Sequence, residues 1–426
     1  MSGKIGFWSV FALVTGSQIG SGIFMLPGNL APYGGLSIAG WGLATLGALL
    51  LALVFAQLCS QLPKTGGPHA YVQAAFGPHA AFFTGWTYWV ISWVSTTAVI
   101  TASVGYLMVF FDAPTPAFQI SLEILLLLSI TALNLKGVQT AGHAEFFLTL
   151  IKVIPLFLLP CIALWFIDLN NFQLASNTSN PLTVAQILNR TALLTLWGFV
   201  GLESATTPAG AIENPSKTIP RAVISGTICV AILYLLNIVG IMGVVPGSTL
   251  MHTAAPYMEA TRLLFGGNWH IVISAIAAII CIGTLNAWTL ASGQIALGIA
   301  EDGLMPKVFA KKNTAGAPFV GLLVSCAGLI PLLLLTYKEN IAHQILLIVD
   351  FSVTAFLFVY LMCCLAFLKL AYKNRQLRTW IVGLGASGFC LWILSQTDLK
   401  ILAIATLFIA SGIPLYLFQH KRFSHA

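Results

Sequence analysis

Long apolar runs alternate with short polar ones along the whole chain, on the length scale of a bilayer. A spanning helix needs about 20 apolar residues. By that measure spans fall at 6–31, 37–61, 79–111, 117–135, 143–167, 184–212, 222–245, 270–300, 318–336, 342–368, 379–396 and 399–418. The pattern predicts an all-α integral membrane protein of about twelve transmembrane helices. The first run is too long for a cleaved signal peptide and has no small-residue cleavage site after it. The connections leave no room for an extramembrane domain. The longest, 168–183 ("DLNNFQLASNTSNPLT"), carries at most a small surface helix.

Two spans are interrupted. The first holds "GSQIGSGIF" (16–24) near its midpoint, and the sixth holds Gly198, Gly201, Pro208 and Gly210 around a charge at Glu203. Each glycine inside a helix costs about 1 kcal/mol relative to alanine, and backbone groups released in lipid have no water to turn to. Paired interruptions that open two halves of five spans are the pattern of an inverted-repeat transporter. The expected organisation is therefore a single domain, with repeats over 1–167 and 184–368 and two additional helices over 379–418.

Broken helices expose backbone at membrane depth. If span one breaks at Gly20-Ser21-Gly22, the N–H groups of Ser21, Gly22 and Ile23 and the positive dipole end form an anion site. Glycine lets a carboxylate approach that backbone closely. If span six breaks near Trp197–Gly201, its free carbonyls suit an ammonium group. The two together fit an α-amino acid. Close helix packing through small residues would account for Gly16 and Gly20, but not for Ser17, Gln18 and Ser21 together.

Composition narrows the solvent to lipid: 58% of the 426 residues are hydrophobic and 7% charged, against about 25% charged in soluble domains. Of the 19 Lys and Arg, only Arg190, Arg262, Lys338 and Lys400 fall on one set of alternate loops; apart from Lys152, the rest fall on the other. The positive-inside rule places both termini in the cytoplasm. The net charge of +7 is that loop signature and needs no nucleic acid. The eight cysteines show no metal or disulfide spacing and read as small packing residues. No metal or cofactor is expected.

Three ionisable residues lie inside spans: Lys152 ("LTLIKVIPLF"), Glu203 ("WGFVGLES") and Asp350 ("LLIVDFSVTAF"). A charge there costs several kcal/mol and marks a functional site by default. A structural ion pair is the plain alternative, and Asp350 falls where the span could open to a water-filled vestibule. Lys152 is expected to meet the unwound carbonyls of span one or a carboxylate such as Glu203. Glu123 and Glu145 fall near span ends and read as interfacial.

The chain resembles the amino acid–polyamine–organocation superfamily, whose members have the leucine-transporter-type inverted-repeat fold. The matching runs are "GSGIFMLP" (20–27), "PKTGGPHAY" (63–71), "WGFVGLESATTPAGAIENPSKTIPRA" (197–222), "WTLASGQIALGIAEDGLMPKVF" (288–309) and "AGAPFVGLL" (315–323). The last two most resemble the basic amino acid/polyamine antiporters, above all arginine/agmatine exchangers.

The resemblance implies that Gly20, Ser21, Gly22 and Ile23 receive the substrate carboxylate with Gln18 beside them. Carbonyls around Trp197 and Val200 take the α-amine. Trp197 stacks on the substrate, and Trp288 lines the side-chain pocket with Ile91, Ser92, Thr96 and Ser352. Tyr88, Glu203 and Tyr360 match gating positions. His69 stands where the arginine exchanger has a tyrosine linked to acid activation, and imidazole is the side chain that titrates nearest neutrality. Three positions depart from the exchangers: Thr96 replaces an asparagine, Gln18 an apolar residue, and Lys152 has no counterpart. Proton-coupled relatives do have that lysine, where its ammonium stands in for the second sodium ion of sodium-driven relatives.

The function expected is secondary transport of an amino acid or its decarboxylated amine across the cytoplasmic membrane by alternating access, as a basic amino acid/polyamine antiporter. A proton symporter of small neutral amino acids using Lys152 is the first alternative. A polytopic membrane enzyme would need clustered His, Asp or Ser, and nothing resembles "HExxH" or "GxSxG". A channel would need a charge ring or repeated filter. Substrate identity, proton coupling and oligomeric state are open, a homodimer being one option.

Overall fold

The computed structural model describes residues 4–111, 115–173, 182–253, 255–335, 341–371 and 377–423. In chain order its α-helices are α1 (Phe7–Gln18), α2 (Gly22–Leu30), α3 (Leu36–Gln61), α4 (Pro68–Phe76), α5 (Pro78–Val94), α6 (Thr96–Leu107), α7 (Pro116–Leu135), α8 (Val138–Ala163) and α9 (Val184–Leu196). They continue with α10 (Pro215–Val244), α11 (Gly247–Leu250), α12 (Pro256–Phe265), α13 (Trp269–Glu301), α14 (Phe319–Leu335), α15 (Ile341–Ala371), α16 (Leu377–Gln396), α17 (Leu399–Ala410) and α18 (Ile413–Phe423). The described residues contain no strand beyond one bridge, Ile5 to Ile212.

All twelve expected segments are helical, and ten helical stretches are long and apolar enough to cross a membrane. The other two are α14, with 17 residues, and the broken stretch that begins with α9. Residues 174–181 of the long connection, and Lys338, Lys373 and Arg375, lie outside the described residues. The rest of that connection holds only a 3₁₀ turn, Leu169–Phe172.

Each boundary has a local cause. Thr183 and Gln186 form a reciprocal capping box at the start of α9. Asn214, in the left-handed region, turns the chain into α10, whose first residue is Pro215. Large apolar side chains such as Leu125, Phe147, Ile154 and Leu335 point outward, as lipid-facing helices require.

Helix α1 lies at the centre, packed against α8, α10 and α13. The last helices, α16 to α18, pack on α3, α5, α9 and α15. Both interruptions fall where the glycines place them. Helix α1 stops at Gln18, Ile19 is extended, and α2 restarts at Gly22. In span six α9 stops at Leu196, Val200 is extended, and Gly201 takes φ +106°. Beyond it the chain does not resume an α-helix but makes 3₁₀ turns at Ser204–Thr206 and Ala209–Ala211.

Two expectations are corrected here. Glu145 and Glu123 are not interfacial; they are 0% and 1% exposed. Helix α8 starts at Val138, before its apolar run, so Glu145 sits about two turns inside it. Glu123 likewise lies two turns into α7, where Gln119 donates to it at 3.1 Å.

Candidate substrate site and its gates

The end of α1 leaves carbonyls without helical partners, and other spans supply donors for each. Lys152 donates to Gly16 O at 2.9 Å, the Trp288 indole to Ser17 O at 3.3 Å, Tyr234 to Gln18 O at 3.0 Å, and Thr284 to Ile19 O at 2.6 Å. The start of α2 is treated oppositely. Among the described residues the N–H groups of Ser21, Gly22 and Ile23 have no hydrogen-bond acceptor, and Ser21 Oγ and Gln18 Oε1 are buried without partners. Donors are therefore bare on one side of the break while acceptors are saturated on the other.

The three glycines of "GSQIGSGIF" each clear space for a different neighbour. A Cβ on Gly16 would run into the Glu145 carboxylate, one on Gly20 would lie 3.0 Å from Thr284 Cγ2, and one on Gly22 would lie 2.7 Å from Trp197 Cδ1.

A small cavity lies between the breaks, lined by Ser17, Gln18, Gly20, Ser21, Ser95, Val99, Trp197, Val200, Thr284 and Trp288. No lining residue is ionisable. Trp197 also borders a separate hollow, which Gly22, Asn29 and Asp350 line. Trp197 thus partitions the two, and Asp350 belongs to the hollow rather than to the midplane cavity.

Ile91, Ser92, Thr96 and Ser352, expected in the lining, do not face the cavity between the breaks. All four are buried, and the Ser352 hydroxyl has no partner. Span three runs from α5 into α6 through Ser95, which keeps helical dihedrals and donates its N–H to Ile91 O. Ser95 and Val99, four apart on one face, line the cavity instead. The glycine and serine pattern of span one could have pointed to Ser17; Thr284 carried no comparable signal.

The residues expected at gating positions do meet. Glu203, fully buried, accepts from Tyr88 at 3.0 Å and from Tyr360 at 2.6 Å. The Gly201 N–H donates to the Tyr360 hydroxyl at 3.3 Å, which ties the break in span six to α15. Ser17 and Ser204 bridge spans one and six at 2.8 Å.

Glu203 is not the partner of Lys152. Its ammonium reaches Gly16 O at 2.9 Å, Thr284 Oγ1 at 3.3 Å and Glu145 Oε1 at 3.4 Å, three acceptors for three N–H donors. The far carboxylate oxygen of Glu145 accepts from Asn286 at 2.8 Å, and Asn286 accepts from Asn134 at 3.0 Å. Gly283 gives room to the Lys152 stem.

His69, in α4, is buried and 3.1 Å from Asp302, beyond the end of α13. The carboxylate can only accept, which assigns the proton to Nε2. Lys64 lies 3.7 Å from the same carboxylate. Partial burial pushes the Asp302 carboxyl up, but His69 and Lys64 outweigh it and hold it below its ordinary value of 3.8. A depressed carboxyl stabilises the folded form above its ordinary value and loses that contribution as pH falls through the lowered one. Asp302→Asn should therefore cost about 1 kcal/mol at pH 7, read as a lower melting midpoint. The gap from wild type should narrow as pH is taken below that ordinary value, and a gap independent of pH would contradict the latch.

Comparison with known proteins agrees with this architecture. The amino acid permease family model matches residues 5–420. The cadaverine/lysine antiporter of Escherichia coli strain K12 is 32% identical over 344 residues, 80% of this chain and 76% of that protein. A putrescine transporter of Haemophilus influenzae is 32% identical over 362 residues, 85% of this chain and 83% of that protein. The putrescine transporter of Escherichia coli K12 is 29% identical over 362 residues, 85% and 82% of the two chains. With its spans broken at residues 19–21 and 200–201, this chain belongs to the amino acid permease family of the amino acid–polyamine–organocation superfamily, a family of multi-span membrane transporters.

Proposed function

We propose that the protein is an antiporter of basic amino acids and their decarboxylated amines, with its site between the two helix breaks. The observation that carries this reading is the bare N–H trio of Ser21, Gly22 and Ile23, which begins at Ser21 in the wall of a cavity that Trp197 and Trp288 also line. A carboxylate takes the N–H groups. A cationic side chain gains about 1–2 kcal/mol over desolvated indole faces. The cadaverine/lysine antiporter and the putrescine transporter among the relatives support a cationic substrate; arginine and agmatine belong to the same chemical class.

The two five-span repeats, 1–167 and 184–368, rock about this site, while 379–418 are additional helices outside it. Both termini lie in the cytoplasm and the membrane is the inner one. Tyr88, Glu203 and Tyr360 gate the inner side, and Trp197 the side of Asp350.

Proton symport of neutral amino acids is the competing reading. The three contacts of Lys152, to Gly16 O, Thr284 and Glu145, support a strut between spans one, five and eight, which favours exchange. The deciding experiment is counterflow in proteoliposomes, with lysine, arginine, cadaverine, putrescine, agmatine and alanine as competitors, with and without a pH gradient. Competition by the cationic compounds without pH-driven accumulation is expected. Uptake of alanine driven by the gradient would overturn the reading.

A further inference from the structure

A polar cavity of about 480 Å³ opens at the lysine-rich end of the bundle, where the chain start, the 3₁₀ turn Ala209–Ala211, the start of α8 and the end of α13 come together. Three ammoniums line it, those of Lys4, Lys136 and Lys312, against one carboxylate, Glu301. Lys312 and Glu301 satisfy each other at 3.0 Å. Lys4 and Lys136 have no ion-pair partner among the described residues, so the cavity keeps two uncompensated positive charges. Like charges gathered in a concave site focus a positive potential there.

The neutral wall donates as well. Gln294, on α13, is 4% exposed and lines the cavity, and its amide has no hydrogen-bond partner among the described residues. Val138, Gln139 and Thr140 form the first turn of α8, which no side chain caps, and their N–H groups have no acceptor among the described residues. The positive end of a 26-residue helix thus opens on the same cavity. The Gly210 N–H donates to Thr65 Oγ1 at 3.2 Å, which leaves the proton of that hydroxyl to give.

Ammoniums, bare amides and an unbonded carboxamide call for a ligand that accepts and carries negative charge. A cationic amine would be repelled by Lys4 and Lys136, and the one carboxylate is already paired. A hydrocarbon would leave the Gln294 amide unsatisfied at a cost. A phosphate fits, because its oxygens accept several hydrogen bonds at once and those from charged donors are the strong ones.

We propose that this cavity binds a phosphate-class anion, free phosphate or the headgroup of an acidic phospholipid, through Lys4, Lys136, Gln294 and the first turn of α8. The site shares no residue with the cavity between the breaks, and it holds whichever substrate the protein carries. Lys4 precedes Ile5, whose N–H donates to Ala211 O at 3.0 Å. An anion on Lys4 therefore fastens the chain start and the span-six strip to α8 and α13.

The test is equilibrium dialysis of the purified full chain in detergent against labelled inorganic phosphate, at constant ionic strength in chloride. Saturable binding of one phosphate per chain is expected. Lys4 and Lys136 are exposed and unpaired, so Lys4→Gln and Lys136→Gln should fold as wild type, yet each should raise the Kd at least about tenfold, as for a lost bond to a charged group. Lys217→Gln removes an exposed charge that does not line the cavity and should leave the Kd unchanged. Dioctanoyl phosphatidate serves as competitor: displacement far below the Kd of phosphate identifies a lipid headgroup as the ligand, and displacement only near it identifies free phosphate. No saturable binding to wild type, or binding that survives Lys4→Gln and Lys136→Gln combined, overturns the site.

Discussion

Gly22→Leu protein should bind lysine at least about a hundredfold more weakly than wild type, while still purifying as a folded, monodisperse protein. A Cβ at this position lies 2.7 Å from Trp197 Cδ1 and 3.2 Å from Nε1, so a leucine must push the indole aside and cover the bare N–H groups. Hydrogen bonds to a charged group are worth about 1.5–3 kcal/mol each. Losing even two exceeds the 1.4 kcal/mol that corresponds to tenfold. Cadaverine has no carboxylate to lose, so its affinity should fall less. Equal loss of lysine and cadaverine would move the carboxylate away from the start of α2, and wild-type affinity for lysine would remove the broken-helix site altogether.

The second large effect is expected at Lys152. Removing one member of a buried ion pair costs about 3–5 kcal/mol, because the other charge is stranded. Lys152→Ala strands Glu145, which is fully buried between α1 and α13. Its melting midpoint should fall steeply, and counterflow should fall with it, since the ammonium ties α8 to both Gly16 O and Thr284. Lys152→Met combined with Glu145→Gln leaves no lone charge and should recover most of the lost stability. Intact counterflow in Lys152→Ala, with loss of pH-driven accumulation alone, would identify Lys152 as a proton carrier and not a strut.

The breaks were legible in the sequence because glycine and isolated polar residues are expensive inside an apolar run. The structure places the interruptions at residues 19–21 and 200–201, within the glycine clusters. Tyr88, Glu203 and Tyr360 were grouped by resemblance and meet through two short hydrogen bonds. Glu145 was missed for a physical reason. Hydropathy marks where a segment becomes apolar, whereas α8 begins a turn and a half earlier, in the polar stretch "VQTAG". In span three the residues that line the cavity are Ser95 and Val99, beside the Ile91, Ser92 and Thr96 that the resemblance implies. Pairings between distant spans, such as Asn286 with Glu145, leave no periodic trace in a single sequence.

The small parallel bridge at Ile5 has a mechanical consequence. Ile5 N–H donates to Ala211 O at 3.0 Å, and Glu213 N–H donates to Ile5 O at 3.1 Å. Further in, Ser17 contacts the Gly201 carbonyl and Ser204, and Ser204 reaches Leu13 O. The inner half of span one is thus stitched to the inner half of span six at both ends, one side a regular helix and the other a chain of 3₁₀ turns with poorer hydrogen-bond geometry. A stiff rod fastened to a pliant strip swings as one lever while the strip absorbs the bend. Any opening at this end of the bundle should therefore move both pieces together, with the deformation concentrated in residues 200–213 and the start of α2 left in place.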